Sequence, residues 1–570
     1  MNTSPRLPVY RQQAWDPASQ PADVLVIGAG AAGLTAAMEA AKHGLRVLVV
    51  DKGIAGRSGS TPTSGGASAV LFPDAPTVTE AGPDSPEAYF DNLRQNGELM
   101  NAPRLVRIFV DEAWRRVLDT REQGVEYVRA ADGRLRQHRT MGHTRPRTTT
   151  PIGGSRLLMS ALRRELLHRG VQVVERTTVT RLLVEDGRVV GVAALNIDSG
   201  DYQHYRAKAV VLAGGSATAL FRYQSANFQT TGDAWVLGYN AGARLVNTEF
   251  MEFTIIPKVG KTILPSSGIS PYLAFGGKLY DRDGERILRR YDPERMETTS
   301  RATIAYAVYA EWAAGRGPVT NDPADFGDAE WAEISDITNR LASVGLDYRR
   351  ERFEWVPALH TCLGGMVVDA DAWTGVPGLW AAGECTSTIH GANRLSSCAI
   401  PDCYVFGYRA GRAAARYART ADSPGPAAPA AVARDRDALR AEFATSGEKP
   451  TAVIARVRDL AWEHLGLSRD AAGLEQGLAE IAALQRVPIA VGDTASLVRA
   501  LDARNLLQAA EFVALAAATR RESRGQHRRT DYPARDDANW VRWVALQRGP
   551  DGVQVGVEPI PTLEATPAAV

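Results

Sequence analysis

Cysteine is scarce: four stand among 570 residues, Cys362, Cys385, Cys398 and Cys403, and none has CxxC or zinc-ligand spacing. So few thiols exclude a disulfide-stapled scaffold and a cysteine-built metal centre, and no metal is expected. They fit a reducing cytoplasm. Net charge is nearly absent as well, because 66 Lys plus Arg face 65 Asp plus Glu, leaving +1. That balance argues against a chain dominated by nucleic acid or an anionic membrane. No uncharged apolar stretch reaches the roughly 18 residues of a membrane span. The first twenty residues carry Arg6, Arg11 and Asp16 among prolines, without the apolar core of a signal peptide. What remains is a chain of roughly three or four domains with a small-molecule partner.

The stretch that organises the rest is Asp23 to Lys52. Val24–Ile27 form an apolar run that breaks into Gly28, Gly30 and Gly33; an Ala-rich helical segment follows, then a second apolar run, Val47–Val50, ending at Asp51. This is a βαβ unit with a dinucleotide fingerprint. Gly28 permits the tight turn, Gly30 lets backbone approach a pyrophosphate, and Gly33 lets helix and strand pack closely. The diphosphate would rest against N–H groups at the helix start. Asp51 is placed to accept a ribose hydroxyl. The pattern does not choose between NAD and FAD.

The Gly/Ser/Thr loop from Gly53 to Ala69 has the composition of a cofactor-lining loop. Helical patterns follow between Pro86 and Gln123, then a basic stretch, Arg134 to Arg147, with His138 and His143, and a helix from Ser155 to Arg169. Strands are expected at Val171–Glu175, Val179–Glu185, Val189–Asn196 and Ala209–Ala213. The last runs into Gly214 and Gly215, and two strands ending in glycine suit a large flavin. Asp233 opens a helix as a plain cap or a cofactor ligand. Residues 248–355 change to mixed short elements, with a hairpin at Phe275–Arg286 turning at Asp283–Gly284, an arrangement natural to a lid. Glu384 ends a further strand. The expected organisation is an arm (1–20), a cofactor domain (21–247 and 356–420), a cap (248–355), a helical domain (431–548) and an irregular tail (549–570).

Several segments together resemble one family, the flavoprotein subunits of fumarate reductase and succinate dehydrogenase, with L-aspartate oxidase. The matching pieces include GAGAAG at Gly28–Gly33, SGG at Ser64–Gly66, LAGG at Leu212–Gly215, TGD at Thr231–Asp233, NTEFMEF at Asn247–Phe253, TSRA at Thr299–Ala302 and HTCLGG at His360–Gly365. The longest are GLWAAGECTSTIHGANRLSS at Gly378–Ser397 and RRESRGQHRRTDYPARDDANW at Arg520–Trp540. The resemblance implies an α/β fold, with an FAD-binding Rossmann-like domain, an inserted α+β capping domain and a C-terminal helical domain. It also implies hydride transfer between a small carboxylate and FAD. By position, Arg394 and His360 would hold a substrate carboxylate and Arg301 would shuttle the proton, with Thr254, Ser270 and His143 completing the substrate set. FAD would be held by Gly28, Ala29, Gly30, Ala32, Gly33, Asp51, Lys52, Ser58, Ser60, Gly65, Gly66, Val179, Ala213, Gly214, Asp233, Glu384, Arg394, Ala399 and Ile400. The charged run after Arg520 reads either as a solvated helix face or, by resemblance, as part of the active-site rim.

Several positions depart from the family pattern, among them Ile269 and Ser270, near which the family's Thr-Glu substrate pair falls. Gly59 stands where respiratory members tether flavin through histidine, so FAD should be non-covalent. The histidine of the family's QFHPT motif falls at Thr254 in EFTII, and the Asn-Ser after HGANR becomes Cys398-Ala399. A lost donor leaves one end of a dicarboxylate poorly paired, so plain succinate or fumarate is not the expected substrate. The alternatives are amine oxidation of the L-aspartate oxidase kind, releasing ammonia, and a non-catalytic flavoprotein subunit of an electron-transfer complex. The electron acceptor stays open among dioxygen, a quinone and a redox protein.

Overall fold

The computed structural model describes residues 15–17, 20–73, 83–259, 262–263, 272–273, 276–342 and 345–563. Its centre is a seven-stranded sheet built on Ala22–Ile27, a strand buried at every position. Val47–Val50 lies parallel on one side of it and Tyr202–Leu212 parallel on the other. Gln172–Val174 extends the first side, and Leu379–Ala381 joins the inner half of Tyr202–Leu212. Strands this apolar are the signature of a parallel sheet covered on both faces. Helices Ala31–Ala41 and Ala399–Thr420 supply one cover, packed against each other.

Tyr202–Leu212 is much longer than the apolar run at Ala209–Ala213 from which a strand was expected. Its outer half carries Gln203, His204 and Arg206 and pairs antiparallel with Arg188–Asn196, which pairs in turn with Thr177–Glu185. Only the inner half is enclosed on both sides, so only that half reads as continuous hydrophobics.

The cap is a four-stranded sheet in which Met251–Val259 is flanked by Thr262–Ile263 and Glu354–Cys362, with Val319–Thr320 beyond. Helix Arg301–Ala313 packs across the two long strands. The expected cap boundary at 355/356 falls inside Glu354–Cys362, so one strand carries the chain from the cap to the site. Of the expected hairpin, the described part closes with an antiparallel bridge between Tyr280 and Arg286; Phe275 lies outside the described residues, as does most of the N-terminal arm.

Three C-terminal helices, Pro450–His464, Ala471–Gln485 and Thr494–Thr519, form a mutual bundle. The chain then returns to the cofactor domain through Arg542–Gly549, which pairs with Leu245–Val246. The expected irregular tail is corrected here: Gly552–Pro559 is a strand paired along its whole length with Arg542–Gly549. Its Val-x-Val-x-Val alternation was present in the sequence. An edge strand exposed on both faces gains little from burial, so the pattern lacked an apolar partner to announce it.

Candidate active site

One large cavity, about 800 Å³, runs from the fingerprint turn to the underside of the cap. At the first end are Gly28, Ala29, Gly30 and Ala32, with Asp51 and Lys52 at the end of the neighbouring strand. Gly33 does not line it. A Cβ there would lie 1.9 Å from the Gly28 carbonyl oxygen, so this glycine sets the spacing between turn and helix. Asp51 braces the turn by accepting the Ala29 N–H at 2.6 Å and the Gly53 N–H at 2.7 Å. Burial pushes its carboxyl up from the ordinary range, against those two hydrogen bonds.

Ser58, Ser60, Gly65, Gly66, Val179, Ala213, Gly214, Asp233, Glu384, Ala399 and Ile400 line the middle. Lys52 and Asp233 reach this wall with their charged ends engaged by protein. Lys52 Nζ lies 2.8 Å from Asp233 and 2.6 Å from Asp502 on the C-terminal bundle. Asn505 donates to the other oxygen of Asp233 at 2.8 Å. Glu384 accepts from Thr361 and, at 3.3 Å, from Ser216. A ligand of dinucleotide length fits this wall chemically: the fingerprint glycines and helix start suit a diphosphate, and Asp51 suits a ribose. FAD would be held by these residues.

At the cap end Thr254, Arg301, His360 and Arg394 meet. Their placement follows from local structure. Glu252 pairs with Thr361 and Phe253 with Leu359, so His360 is the extra residue of a β-bulge, a device that re-aims side chains at sites. Its Nδ1 lies 2.6 Å from Ser225 Oγ. Burial, then the nearby Arg301 and Arg394, hold its pKa down at about 3. His360 is therefore a neutral hydrogen-bonding group near pH 7, not a cation. Arg301 opens helix Arg301–Ala313, whose cap Ser300 accepts the Thr303 N–H at 3.1 Å.

Behind the arginines is a residue that the sequence reading missed. Glu252 is 1% exposed and grips both guanidiniums. It accepts from Arg394 Nε at 2.7 Å and Nη2 at 3.2 Å, and from Arg301 Nη1. Burial would raise its carboxyl, but Arg394 and Arg301 more than offset this and hold it at about 2. The arginines respond in opposite directions. Burial and the neighbouring Arg394 pull Arg301 down against the pull of Glu252, whereas the two-pronged bond to Glu252 carries Arg394 above its ordinary value despite burial. The signal was in EFTII, whose first residue puts a carboxylate in place of the motif's amide.

One substrate expectation is not met and another is not tested. His143 does not line the cavity; it is buried with Nε2 2.7 Å from the Ser396 carbonyl, bracing the loop after Arg394 from behind. Ser270 lies outside the described residues. The charged run after Arg520 is not a solvated helix face. Arg520, Glu522, Arg524 and Arg529 are buried in a loop, and Gly525, at φ +54°, seats against the Ala392 carbonyl, where a Cβ would approach to 2.3 Å.

Residues 23–400 match the family described as FAD binding domain, and residues 455–569 match the fumarate reductase flavoprotein C-terminal domain. The chain belongs to the fumarate reductase flavoprotein family. Among its relatives, one subunit of the fumarate reductase (CoM/CoB) of Methanothermobacter marburgensis is 32% identical, over 92% of this chain and 97% of that one. An L-aspartate oxidase of Caulobacter vibrioides is 30% identical, over 94% and 98%. A solved quinol-fumarate reductase with menaquinol molecules superposes at TM-score 0.86 with 27% identity, covering 96% of this chain and 99% of that one. This flavoprotein is thus an FAD-dependent oxidoreductase, with the cofactor, cap and C-terminal helical domains of its family. Among the described residues no helix is long and apolar enough to cross a membrane.

Proposed function

We propose that this flavoprotein exchanges a hydride between a carbon of a small carboxylate and a dissociable FAD. The observation that carries the reading is the meeting of Arg301, Arg394 and His360 at the cap end of the cavity whose other end is the dinucleotide fingerprint. Bound FAD supplies the two-electron acceptor or donor. Arg394 and neutral His360 orient the carboxylate, and orientation of a near-attack geometry is worth up to about 7 to 11 kcal/mol of a barrier. In the oxidative direction one substrate C–H bond gives up its hydrogen with the electron pair, and the adjacent atom gives a proton to an Arg301 Nη; reduction reverses both. Deprotonating an ordinary guanidinium near pH 7 costs about 8 kcal/mol. Burial, the neighbouring Arg394 and the position at a helix start all reduce that cost for Arg301.

Gly59 lines the cavity, and a glycine has no side chain to bond flavin. Acid precipitation of the holoprotein is expected to release all flavin to the supernatant; flavin remaining with the pellet would contradict this. The main test is anaerobic titration of the holoprotein with mono- and dicarboxylates, amino acids and their amides, followed at the flavin absorbance. Bleaching by one class supports the reading, and a flavin unmoved by every compound overturns it. Similarity to an L-aspartate oxidase favours amine oxidation as the second reading, and release of ammonia during bleaching would select it.

A further inference from the structure

The guanidiniums at the cap end do not present two full positive charges to a ligand. Glu252, enclosed behind them and outside the cavity lining, takes the Nε–Nη2 edge of Arg394 and one Nη1 of Arg301. That edge is one of the two on which an arginine makes a two-pronged carboxylate bond, so Arg394 keeps only its Nη1–Nη2 edge for a ligand, with Nη2 already shared. His360 is neutral and adds no charge. Glu384, on the same cavity wall and within electrostatic reach of Arg394, can only subtract further positive charge. His390, also lining the cavity, is held neutral by burial. Two arginines and one buried carboxylate leave a single net positive charge.

A ligand carboxylate could take the occupied edge only by displacing Glu252. The displaced carboxylate would then be buried and unpaired, a severe penalty. The cap strand that carries Glu252 continues along the cavity as Thr254, Ile255 and Ile256, which bring no charge to a second carboxylate.

We infer that Glu252 is a built-in counter-carboxylate that limits this site to one substrate carboxylate, so that the substrate is a monocarboxylate whose far end is uncharged or cationic. The inference rests on the proposed function and deepens it. Glu252 acts through the two arginines and is a positioning residue for specificity.

The test uses ligand pairs matched in shape and differing in one charge: succinate against succinamate, and fumarate against fumaramate. Each is titrated into oxidised holoprotein, with the shift of the flavin spectrum read as binding, in the wild type and in Glu252→Gln. Wild type is expected to bind each amide at least about tenfold more tightly than its dicarboxylate, a factor worth about 1.4 kcal/mol. In Glu252→Gln the dicarboxylates should gain at least as much and the preference should shrink or reverse. A structural role alone would weaken all four ligands together. Equal binding of acid and amide by the wild type overturns the inference without need of the variant, as does an unchanged preference in a folded variant. If none of the four binds either protein, the inference is overturned, while the proposed function stands or falls separately on the full panel of carboxylates, amino acids and amides.

Discussion

At the scale of single residues, the site turns on how one buried carboxylate treats two neighbouring arginines. Arg394 gives Glu252 two bonds and its charge is reinforced; Arg301 gives one and is pulled toward deprotonation by burial and by Arg394 itself. The division matches one anchor and one proton carrier. Arg301→Ala is therefore expected to retain FAD, whose contacts lie elsewhere in the cavity, and to lose turnover by about 10²-fold or more, as general acid–base groups do. Unchanged turnover in a flavin-loaded variant would remove the assigned role. Arg301 and Arg394 could be picked out from TSRA and HGANR. That they share Glu252 could not, because Glu252 is 142 positions from Arg394 and meets it only when the cap folds over the cofactor domain.

Among elements, the segment after Arg520 shows how a charged run can be an interior feature. Glu522 accepts from Arg520 at 3.1 Å and from Arg524 at 2.7 and 2.8 Å, and also caps the Asp536 N–H at 2.9 Å. The next residues fasten the loop of Arg394: the Gln526 N–H donates to Ala392 O at 2.9 Å, and its side-chain amide reaches Asn393 at 3.3 Å. Removing one member of a buried ionic network leaves its partners desolvated and uncompensated. Glu522→Ala is expected to cost about 3 to 5 kcal/mol, read as a lowered denaturant midpoint. A solvated surface charge would cost within about 0.5 kcal/mol, and a change that small would contradict the burial argument.

For the whole molecule, the buried histidines set the acid limit of stability. Burial holds His143 at about 4 and His360 and His390 at about 3, and depresses His527 well below its ordinary 6.5. Between about pH 6.5 and 4 the unfolded chain takes up protons on these four that the folded chain refuses, so stability falls as pH falls. Asp402 works the other way: burial raises it from 3.8 to about 7, so its contribution is lost as pH rises through that window. Glu252, held near 2, adds a loss that sets in below 4.5. Burial lowers His204 in the same sense and raises other carboxyls, among them Asp51 and Glu384, in the sense of Asp402; with the histidines titrating in the unfolded chain near 6.5, a falling denaturant midpoint from pH 7 to 5 is expected, with net proton uptake on unfolding. A flat midpoint over that range would be incompatible with buried neutral histidines.

The sequence by itself determined the dinucleotide domain, because the fingerprint is local: an apolar run, three glycines and an acid within some thirty residues fix a βαβ unit whatever surrounds it, while the choice of FAD came only with the family motifs. It also determined the family, through short motifs kept in order along the chain. Tertiary structure alone decided the net charge at the cap end of the cavity and the burial of Arg520, Glu522, Arg524 and Arg529 in the C-terminal charged run. Both depend on which distant side chains share a low-dielectric space, and neither periodicity nor spacing encodes that distance. A lone glutamate in a strand looks the same whether it faces water or two guanidiniums; only the closing of the cap over Arg394 gave Glu252 its partners.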